Sequence, residues 1–507
     1  METRDTVESV AHRTDFDLLV SQNPYLSPAD REVHAALVVT ARGRVAPGAE
    51  PEVAQVILVD CSGSMSKPDT KMRAARRATK AAVGALRDGA LFAVVEGTER
   101  ARQVFPERGL AVAGPRTRRA AADAVDRLAA AGGTDIGSWL ALAGRLLRDH
   151  PTAVRHVILL TDGRNSRPAA ELDAVLAEFG PEFTCDARGI GADWLPTELL
   201  RVAEALHGTA DAVRAPADLV ADFTAMTRAA MGKLVPELRV LVRTTAASRL
   251  DFLRQIHPSE ADLRGEPVDE RTTAFTTGSW GAESREYHLR LSVDPAALPR
   301  DGEVRVARVD LAVRPAGATG FTAAGVARSV VAHRTDDPEL SSRTDARIAH
   351  YRGQAELRRA VLAGGEAHGR GDRGGTEAAW GRAVALATRL GNHRVLARLL
   401  RLVEVVGGPE DGVVRVRDGL ATEDLLSVAV GSTLSGTWSE SVAGSVTGPA
   451  AARSGGVIGP DVVGLGATGL GATGPGATGP GVACPRCALR WPTGSAYCGG
   501  CGGPLPA

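Results

Sequence analysis

Residues 56–67, VILVDCSGSMSK, begin as an apolar run and continue with an acid, a thiol, hydroxyls and a glycine. The apolar run predicts a buried β-strand. Alternate side chains of a strand share a face, and Gly63 permits a turn just beyond its end. Asp60, Ser62 and Ser64 can therefore converge on one point. Carboxylate and hydroxyl oxygens are hard ligands, which suit Mg²⁺, Mn²⁺ or Ca²⁺ rather than zinc.

Two later segments offer matching oxygens. Thr134 lies in the glycine turn GGTDIG before a predicted helix, and Asp162 ends the apolar strand ILLTDG. Strands and helices alternate from residue 51 to 232, which predicts an α/β fold with a parallel sheet covered by helices on both faces. In such sheets ligands bind at the carboxyl ends of the strands, so we expect these oxygens to meet there. The alternative is structural, with Ser62 and Ser64 as helix caps and Asp162 as a turn residue.

The segments VDCSGSM, GGTDIGSWL and LLTDGRN, in this order, resemble the von Willebrand factor type A (VWA) domain, a doubly wound α/β fold, with its metal-ion-dependent adhesion site. The resemblance covers roughly residues 50–232. It implies that Ser62, Ser64 and Thr134 bind a divalent cation through their hydroxyls. It also implies that Asp60 and Asp162 act largely through bound water, and that a carboxylate of a partner protein completes the coordination.

The rest of the chain predicts a multidomain protein. Residues 1–50 have an irregular start and a strand at 32–43, which could pair with a later β-sandwich. Residues 233–335 contain short strands without helices between them, which predicts that sandwich. Residues 336–406 predict a small helical hairpin, similar to a tetratricopeptide unit, with two helices joined at Gly391 and Asn392. Residues 407–480, rich in Gly, Ala, Thr and Pro, predict a disordered linker.

Residues 481–507 contain the second predicted metal site. Two Cys-x₂-Cys pairs, separated by ten residues, can close one tetrahedral zinc site, and this segment resembles a zinc ribbon. The predicted ligands are Cys484, Cys487, Cys498 and Cys501. Four cysteines fill the coordination shell, so the zinc would be structural and would drive folding. A redox role for the second pair and nucleic-acid binding by the ribbon remain alternatives, the latter disfavoured because only Arg490 is basic between the two pairs.

Composition does not favour nucleic acid or an anionic membrane as a partner. The 507 residues carry 60 Lys and Arg against 60 Asp and Glu, so no excess of positive charge favours nucleic acid or an anionic membrane. No apolar stretch approaches the 18 residues of a membrane span, and the charged first residues do not resemble a signal peptide. We therefore expect a cytoplasmic protein without a membrane partner.

The sequence gives no positive sign of catalysis. Ser62 lies outside a G-x-S-x-G elbow, and the chain contains no phosphate-binding loop of the G-x-x-x-x-G-K-[ST] type. An aspartate nucleophile of the phosphatase kind would need an acid where Ser62 stands. Cys61 is expected to face away from the oxygens and to pack as a small apolar residue. Asp135, beside Thr134, is expected to cap a helix rather than to bind metal.

These observations predict a non-catalytic adaptor that binds an acidic residue of a partner through a divalent cation. The resemblance suggests bacterial cytoplasmic signalling or stress response, with a kinase or phosphatase system as partner. The first alternative is a subunit of a metal-chelatase or ATPase remodelling complex, which would present substrate to a separate motor. A weaker alternative is a hydrolase that uses the cation at Asp60.

Overall fold

The structure is a computed structural model that describes residues 14–43, 50–299, 302–436, 481–483 and 490–492. In these ranges the strands are β1 (Asp15–Gln22), β2 (Tyr25–Leu26), β3 (Glu32–Arg42), β4 (Val53–Asp60), β5 (Leu91–Gly97), β6 (Ala101–Phe105), β7 (Ala111–Val112), β8 (Val154–Thr161), β9 (Thr184–Ile190), β10 (Ala210–Val213), β11 (Glu237–Thr244), β12 (Ser248–His257), β13 (Ala261–Asp262), β14 (Gly265–Pro267), β15 (Thr272–Thr276), β16 (Ser284–Val293), β17 (Val304–Arg314), β18 (Thr322–Arg334), β19 (Val403–Val405), β20 (Val414–Val416), β21 (Gly481–Ala483) and β22 (Arg490–Pro492). The helices are α1 (Thr70–Ala85), α2 (Pro115–Asp126), α3 (Ile136–Arg148), α4 (Ala169–Phe179), α5 (Pro196–Ala205), α6 (Leu219–Met231), α7 (Pro338–Ser341), α8 (Ala346–Gly369), α9 (Arg373–Arg389), α10 (His393–Leu402) and α11 (Thr422–Gly431).

Strand β4 lies in the middle of a seven-stranded sheet. The strand order is β10-β9-β8-β4-β5-β6, and β7 pairs with the start of β5. Strands β10, β9, β8, β4 and β5 are parallel, whereas β6 and β7 run antiparallel to β5. All eight residues of β4 are buried, as expected for a strand covered on both faces. The carboxyl ends of the parallel strands therefore share one edge of the sheet.

Helices cover both faces of this sheet, and alternate residues of β4 point to each of them. Ile57 belongs to a core formed with α1, α2 and α6, which includes Phe223. Leu58 belongs to the opposite core, formed with α3, α4 and α5, which includes Trp139. This is the predicted doubly wound arrangement. Among the helices that the structure describes, none is long and apolar enough to cross a bilayer.

The β-sandwich is built from two parts of the chain. One sheet has the order β1-β3-β16-β12-β13 and the other the order β14-β15-β11-β17-β18-β2. Strand β3 pairs with β1 and β16, so the α/β domain is inserted between β3 and β11 of the sandwich. The two sheets share an apolar core that includes Leu37, Trp280 and Tyr287.

The predicted irregular start of residues 1–50, before the strand at 32–43, is wrong for β1. This strand pairs with β3 along its whole length. Phe16 and Leu18 are buried in the sandwich core, while Leu19 is 51% exposed. The alternation is short and mixed with charges, so the local pattern is weak, and pairing with β3 stabilises the strand.

The predicted helical hairpin is also incomplete. Helices α9 and α10 meet near Gly391 as expected, but the 24-residue helix α8 precedes them and packs along α9. A Cβ on Gly364 of α8 would lie 2.2 Å from Cδ1 of Trp380, so this glycine allows the close approach of the two helices. Glycine lowers intrinsic helix propensity, which weakens the local signal for α8.

The predicted linker at 407–480 is wrong for its first part. Residues 407–436 contain β20, which pairs with β19, and helix α11. Val430 of α11 is fully buried in the apolar core of the α/β domain, beside β10 and α5. Burial of this apolar face stabilises helix α11, although the glycine content of the segment predicts a disordered linker.

Contacts divide the chain into a unit of residues 1–436 and a second unit of residues 437–507. In the second unit β21 and β22 pair antiparallel. The remaining linker residues, 437–480, and the four predicted zinc ligands lie outside the described residues. The zinc ribbon therefore stays a prediction.

Candidate metal centre

The predicted oxygens meet at the carboxyl edge of the seven-stranded sheet. Asp60 is the last residue of β4, and Asp162 follows the last residue of β8, which lies directly beside β4. Ser62 and Ser64 lie in the turn after β4, where Gly63–Ser66 forms a short 3₁₀ helix. This local geometry follows from the strand end and the glycine, as the sequence predicts.

Asp60 is fully buried and organises the turn. Its Oδ1 accepts a hydrogen bond of 2.7 Å from the backbone N–H of Ser62. Its Oδ2 accepts bonds of 2.7 Å from the hydroxyl of Thr161 and 3.2 Å from the N–H of Asp162. Burial raises the pKa of Asp60 above its ordinary value, an effect opposed by the hydrogen bonds from Ser62 and Thr161. The carboxylate is thus held in one orientation by both strands.

The two serine hydroxyls have the spacing of neighbouring metal ligands. Oγ of Ser62 lies 2.9 Å from Oγ of Ser64, which in turn donates a hydrogen bond of 2.6 Å to Oδ1 of Asp162. Adjacent ligands of an octahedral Mg²⁺ ion are about 3 Å apart, because each Mg–O distance is about 2.1 Å. The spacing of these oxygens therefore fits a Mg²⁺-type site.

Thr134 reaches the same point from a third segment. The position that a Cβ on Gly163 would occupy lies 3.0 Å from Oγ1 of Thr134, 3.5 Å from Oγ of Ser64 and 3.9 Å from Oγ of Ser62. Three hydroxyls therefore surround one small space, which the absence of a side chain at residue 163 keeps open. Thr134 is 5% exposed, so its hydroxyl is held in the protein rather than in bulk water.

Backbone hydrogen bonds hold the three segments together. The N–H of Gly63 donates to the carbonyl of Gly132 at 3.0 Å, and the N–H of Ser166 donates to the carbonyl of Thr134 at 2.8 Å. Asp135 caps helix α3 by accepting a bond of 3.1 Å from the N–H of Ser138. These bonds fix the loops through the protein itself, so the oxygens are preorganised for an ion.

Cys61, between Asp60 and Ser62, packs as the small apolar residue that its position predicts. Its side chain is fully buried in the core shared with α1 and α6. Burial, helped by the charges of Glu96 and Asp60, raises the pKa of this thiol far above its ordinary value. The thiolate that a nucleophilic role requires is therefore strongly disfavoured.

Sequence reasoning missed one charged residue of this site. Lys71 in the first turn of α1 extends its Nζ to 2.8 Å from Oδ2 of Asp162, and only 8% of its side chain is exposed. The signal was its position: Lys71 lies on the same helix face as Ala75, Ala78 and Ala82, which is the buried face. A lysine on such a face needs a buried partner.

The donor set consists of hydroxyls and carboxylates. In the part of the chain that the structure describes, no three His, Cys, Asp or Glu side chains cluster as metal ligands. The centre at β4 has two carboxylates, Asp60 and Asp162, and three hydroxyls. Such a set fits a hard divalent cation and fits zinc poorly.

Comparisons with known proteins agree with this fold. A family model described as von Willebrand factor type A domain matches residues 54–212. A solved von Willebrand factor type A protein from Catenulispora acidiphila is 39% identical, with a TM-score of 0.77, and the match covers 85% of this chain and 99% of that one. The chain therefore belongs to the von Willebrand factor type A family.

More remote structures show weaker likeness. The ArnB paralog VWA2 from Sulfolobus acidocaldarius is 12% identical, with a TM-score of 0.49, and the match covers 83% of this chain and 100% of that one. A search of curated proteins gave no significant match.

Proposed function

We propose that this protein is a non-catalytic adaptor that binds an acidic side chain of a partner protein through a divalent cation at the β4 edge. The convergence of three hydroxyls on the space beside Gly163 carries the proposal. Ser62, Ser64 and Thr134 would bind the cation directly, while Asp60 and Asp162 would hold it through water.

Charge explains why such a centre would attract a carboxylate. The hydroxyl ligands are neutral, so they compensate none of the positive charge of a divalent cation themselves. A carboxylate from another chain would then supply both a hard ligand and the missing negative charge. The partly exposed Ser64 and exposed Gly63 lie on the side from which that carboxylate would approach.

The same features argue against an enzyme. The oxygens of Asp60 are already engaged by Ser62, Thr161 and Asp162, which leaves this carboxylate no freedom to act as a nucleophile. The thiol of Cys61 is buried and its thiolate is disfavoured. The ion would serve as a bridge between proteins.

The proposal includes the cellular setting expected from the sequence. We place the protein in the cytoplasm of a bacterium, in signalling or stress response, with Mg²⁺ as the first candidate ion and Mn²⁺ or Ca²⁺ as substitutes. A zinc ribbon at Cys484, Cys487, Cys498 and Cys501 would supply a second, tethered contact. The relative from Catenulispora acidiphila supports the family and gives no partner.

The decisive experiment compares two serines of one turn. Oγ of Ser64 faces Ser62 and Asp162, whereas Oγ of Ser66 donates to the carbonyl of Gly63 at 2.7 Å and is exposed. Mg²⁺ binding is measured by calorimetry, and capture of partner proteins is measured on immobilised protein with Mg²⁺ or with chelator.

Ser64→Ala and Thr134→Ala should lose Mg²⁺ binding and partner capture while remaining folded, and Ser66→Ala should keep both. A partner that co-purifies and hydrolyses ATP would favour a remodelling complex. Capture that survives chelator and both substitutions would overturn the metal bridge.

A further inference from the structure

Lys71 is a charged residue inside the metal centre that the ligand set does not require. Its Nζ lies 2.8 Å from Oδ2 of Asp162, and neither side chain has appreciable exposure: 8% for the lysine and none for the aspartate. Lys71 also lies in the first turn of α1, where the helix dipole disfavours a positive charge. Burial and the helix dipole therefore both disfavour a lysine at residue 71, and only its contact with Asp162 favours it.

The protein backbone makes room for this ammonium. Gly191 follows β9 at the same sheet edge and has a φ of 76°, a conformation that side chains rarely adopt. A Cβ at this position would lie 2.9 Å from Cε and 3.0 Å from Nζ of Lys71. The carbonyl of Gly191 accepts a bond of 3.0 Å from Nε1 of Trp194, which fixes the turn. The ammonium thus lies between α1 and the end of β9, in a space that Gly191 leaves open.

The two oxygens of Asp162 accept hydrogen bonds from two different side chains. Oδ2 accepts from Lys71, while Oδ1 accepts from the Ser64 hydroxyl beside the space that the three hydroxyls surround. Rotation of the carboxylate would break both bonds. Lys71 therefore helps to fix the orientation of the Asp162 carboxylate, with one oxygen towards Ser64 and the candidate ion.

The ammonium also changes the charge of the centre. A bound divalent cation favours the ionised form of both carboxylates, so in the loaded centre Asp60 and Asp162 would be opposed by the Lys71 ammonium and the protein would contribute one net negative charge. With a divalent cation the loaded centre is positive by one unit, and one carboxylate from a partner neutralises it. Without Lys71 the loaded centre would already be neutral, and a partner carboxylate would leave a buried negative charge.

From these contacts we propose that Lys71 is a positioning residue that couples the two binding events: it weakens divalent-cation binding and strengthens binding of the partner carboxylate. This inference rests on the proposed metal bridge. It commits the centre to one anionic group per ion, since a single carboxylate restores neutrality. Because buried charges interact strongly, removal of the ammonium should change each affinity by roughly tenfold or more.

The test uses the full chain with Lys71→Met, which keeps the length and removes the charge, and Lys71→Gln, which can still donate to Asp162. Lys71→Arg retains the charge. The matched control is Lys80→Met, since Lys80 is a more exposed lysine of the same helix, paired with Asp126 at 2.6 Å. Mn²⁺ binding is followed by the paramagnetic resonance of free Mn²⁺, and acetate binding at saturating Mn²⁺ by the relaxation of water protons.

The expected result is tighter Mn²⁺ binding and weaker acetate binding in Lys71→Met and Lys71→Gln, with Lys71→Arg and Lys80→Met close to the wild type. A purely structural ion pair would instead lower stability in chelator and leave the Mn²⁺ affinity unchanged or reduced. That outcome overturns the role of Lys71 while the metal bridge stands.

The remaining outcomes are also decisive. Mn²⁺ binding in Lys71→Met but not in the wild type would show that the ammonium excludes the ion, which would overturn both the coupling and the proposed metal bridge. No Mn²⁺ binding in the wild type or in any folded variant would overturn both the inference and the proposed function.

Discussion

The hydroxyl of Ser64 donates a hydrogen bond of 2.6 Å to Oδ1 of Asp162, although 98 positions separate the two residues. They meet because β4 and β8 are neighbouring parallel strands, whose ends lie at the same sheet edge. The Ser64 hydroxyl, with those of Ser62 and Thr134, also surrounds a space beside Gly163 that the glycine keeps open. Several substitutions around this space, and elsewhere in the fold, have definite expected outcomes.

A methyl group at Gly163 should block the metal centre. In Gly163→Ala the new Cβ would lie 3.0 Å from Oγ1 of Thr134 and would occupy part of the space between the three hydroxyls. We expect Mg²⁺ affinity, measured by calorimetry, to fall by roughly tenfold or more, which corresponds to about 1.4 kcal/mol.

The control for this substitution is Gly84→Ala in α1, where a Cβ would meet no atom within 4 Å. This control should bind Mg²⁺ normally. Its free energy of unfolding should be higher by about 0.5–1 kcal/mol, because alanine is more favourable than glycine within a helix. Wild-type affinity in Gly163→Ala would contradict the placement of the ion.

Thr161 should stabilise the fold through Asp60. Its buried hydroxyl donates to Oδ2 of Asp60 at 2.7 Å and accepts from the N–H of Gly163 at 3.2 Å. Thr161→Val keeps the shape but leaves both partners without this hydroxyl, so the free energy of unfolding in chelator should fall by about 1–3 kcal/mol.

Chemical denaturation followed by circular dichroism measures this loss. Thr224→Val is the control, because the Thr224 hydroxyl only donates to the carbonyl of Val220 in its own helix. Such a bond contributes little to stability, so the control should change by less than about 0.5 kcal/mol. Equal effects of the two substitutions would argue against a special role of Thr161.

Arg398 should attach the helical segment to the edge of the α/β domain. Its guanidinium forms two hydrogen bonds with Asp211 of β10, at 2.7 and 2.8 Å, and a third with the carbonyl of Ser427 in α11. We expect Arg398→Met to lower the free energy of unfolding by about 2–3 kcal/mol, since bonds to charged groups are strong.

Hydrogen exchange should locate this effect in α10 and α11. The matched control is Arg382→Met, because Arg382 is exposed and lies 3.7 Å from Glu356. Exposed pairs contribute about 0–1 kcal/mol, so this control should stay near the wild type. Unchanged exchange in α11 of Arg398→Met would show that apolar burial of Val430 suffices.

His207 should make the fold sensitive to mild acid. Burial, helped by the charge of Arg285, lowers its pKa to about 4, below the ordinary 6.5. Between these values the unfolded chain binds a proton that the folded chain does not, so stability is lost as the pH falls from 6.5 towards 4. Of the free energy of unfolding that is lost between pH 7 and pH 5, His207 should account for ~1–2 kcal/mol.

The variant His207→Asn tests this share. Residue 207 has a φ of 51°, which asparagine tolerates well. Denaturant midpoints at pH 7 and pH 5 should differ less in the variant than in the wild type. Some dependence should remain, because burial also lowers the pKa of His257 to about 4 and that of His288 to about 3. Identical pH dependence in both proteins would refute the assignment to His207.

The C-terminal cysteines should hold zinc. Elemental analysis of metal-replete protein should find about one zinc ion per chain, as a closed four-cysteine site requires. Cys484→Ser should lose this zinc, whereas Cys185→Ser, at a buried free cysteine of the sheet, should retain it. Metal-replete protein without zinc would refute the ribbon.

The α/β part of the fold could be predicted from the sequence because its signals are local. The apolar runs of β4 and β8 are continuous, as buried parallel strands require, and each ends in a polar residue of the centre. The role of Asp135 as the cap of α3 was predicted correctly for the same reason. Strand β1 and helix α11 were missed because their order depends on distant partners, β3 and β10.

The sequence by itself determined which oxygens meet at this sheet edge, since strand ends and glycine turns are encoded by neighbouring residues. Only the tertiary structure decided what surrounds them: the pairing of Lys71 with Asp162, the room that Gly191 leaves for an ammonium, and the space beside Gly163. The physical reason is the distance along the chain over which each kind of interaction acts. Backbone preferences and periodicity act over a few residues, whereas buried ion pairs and close contacts depend on packing between elements far apart in the chain.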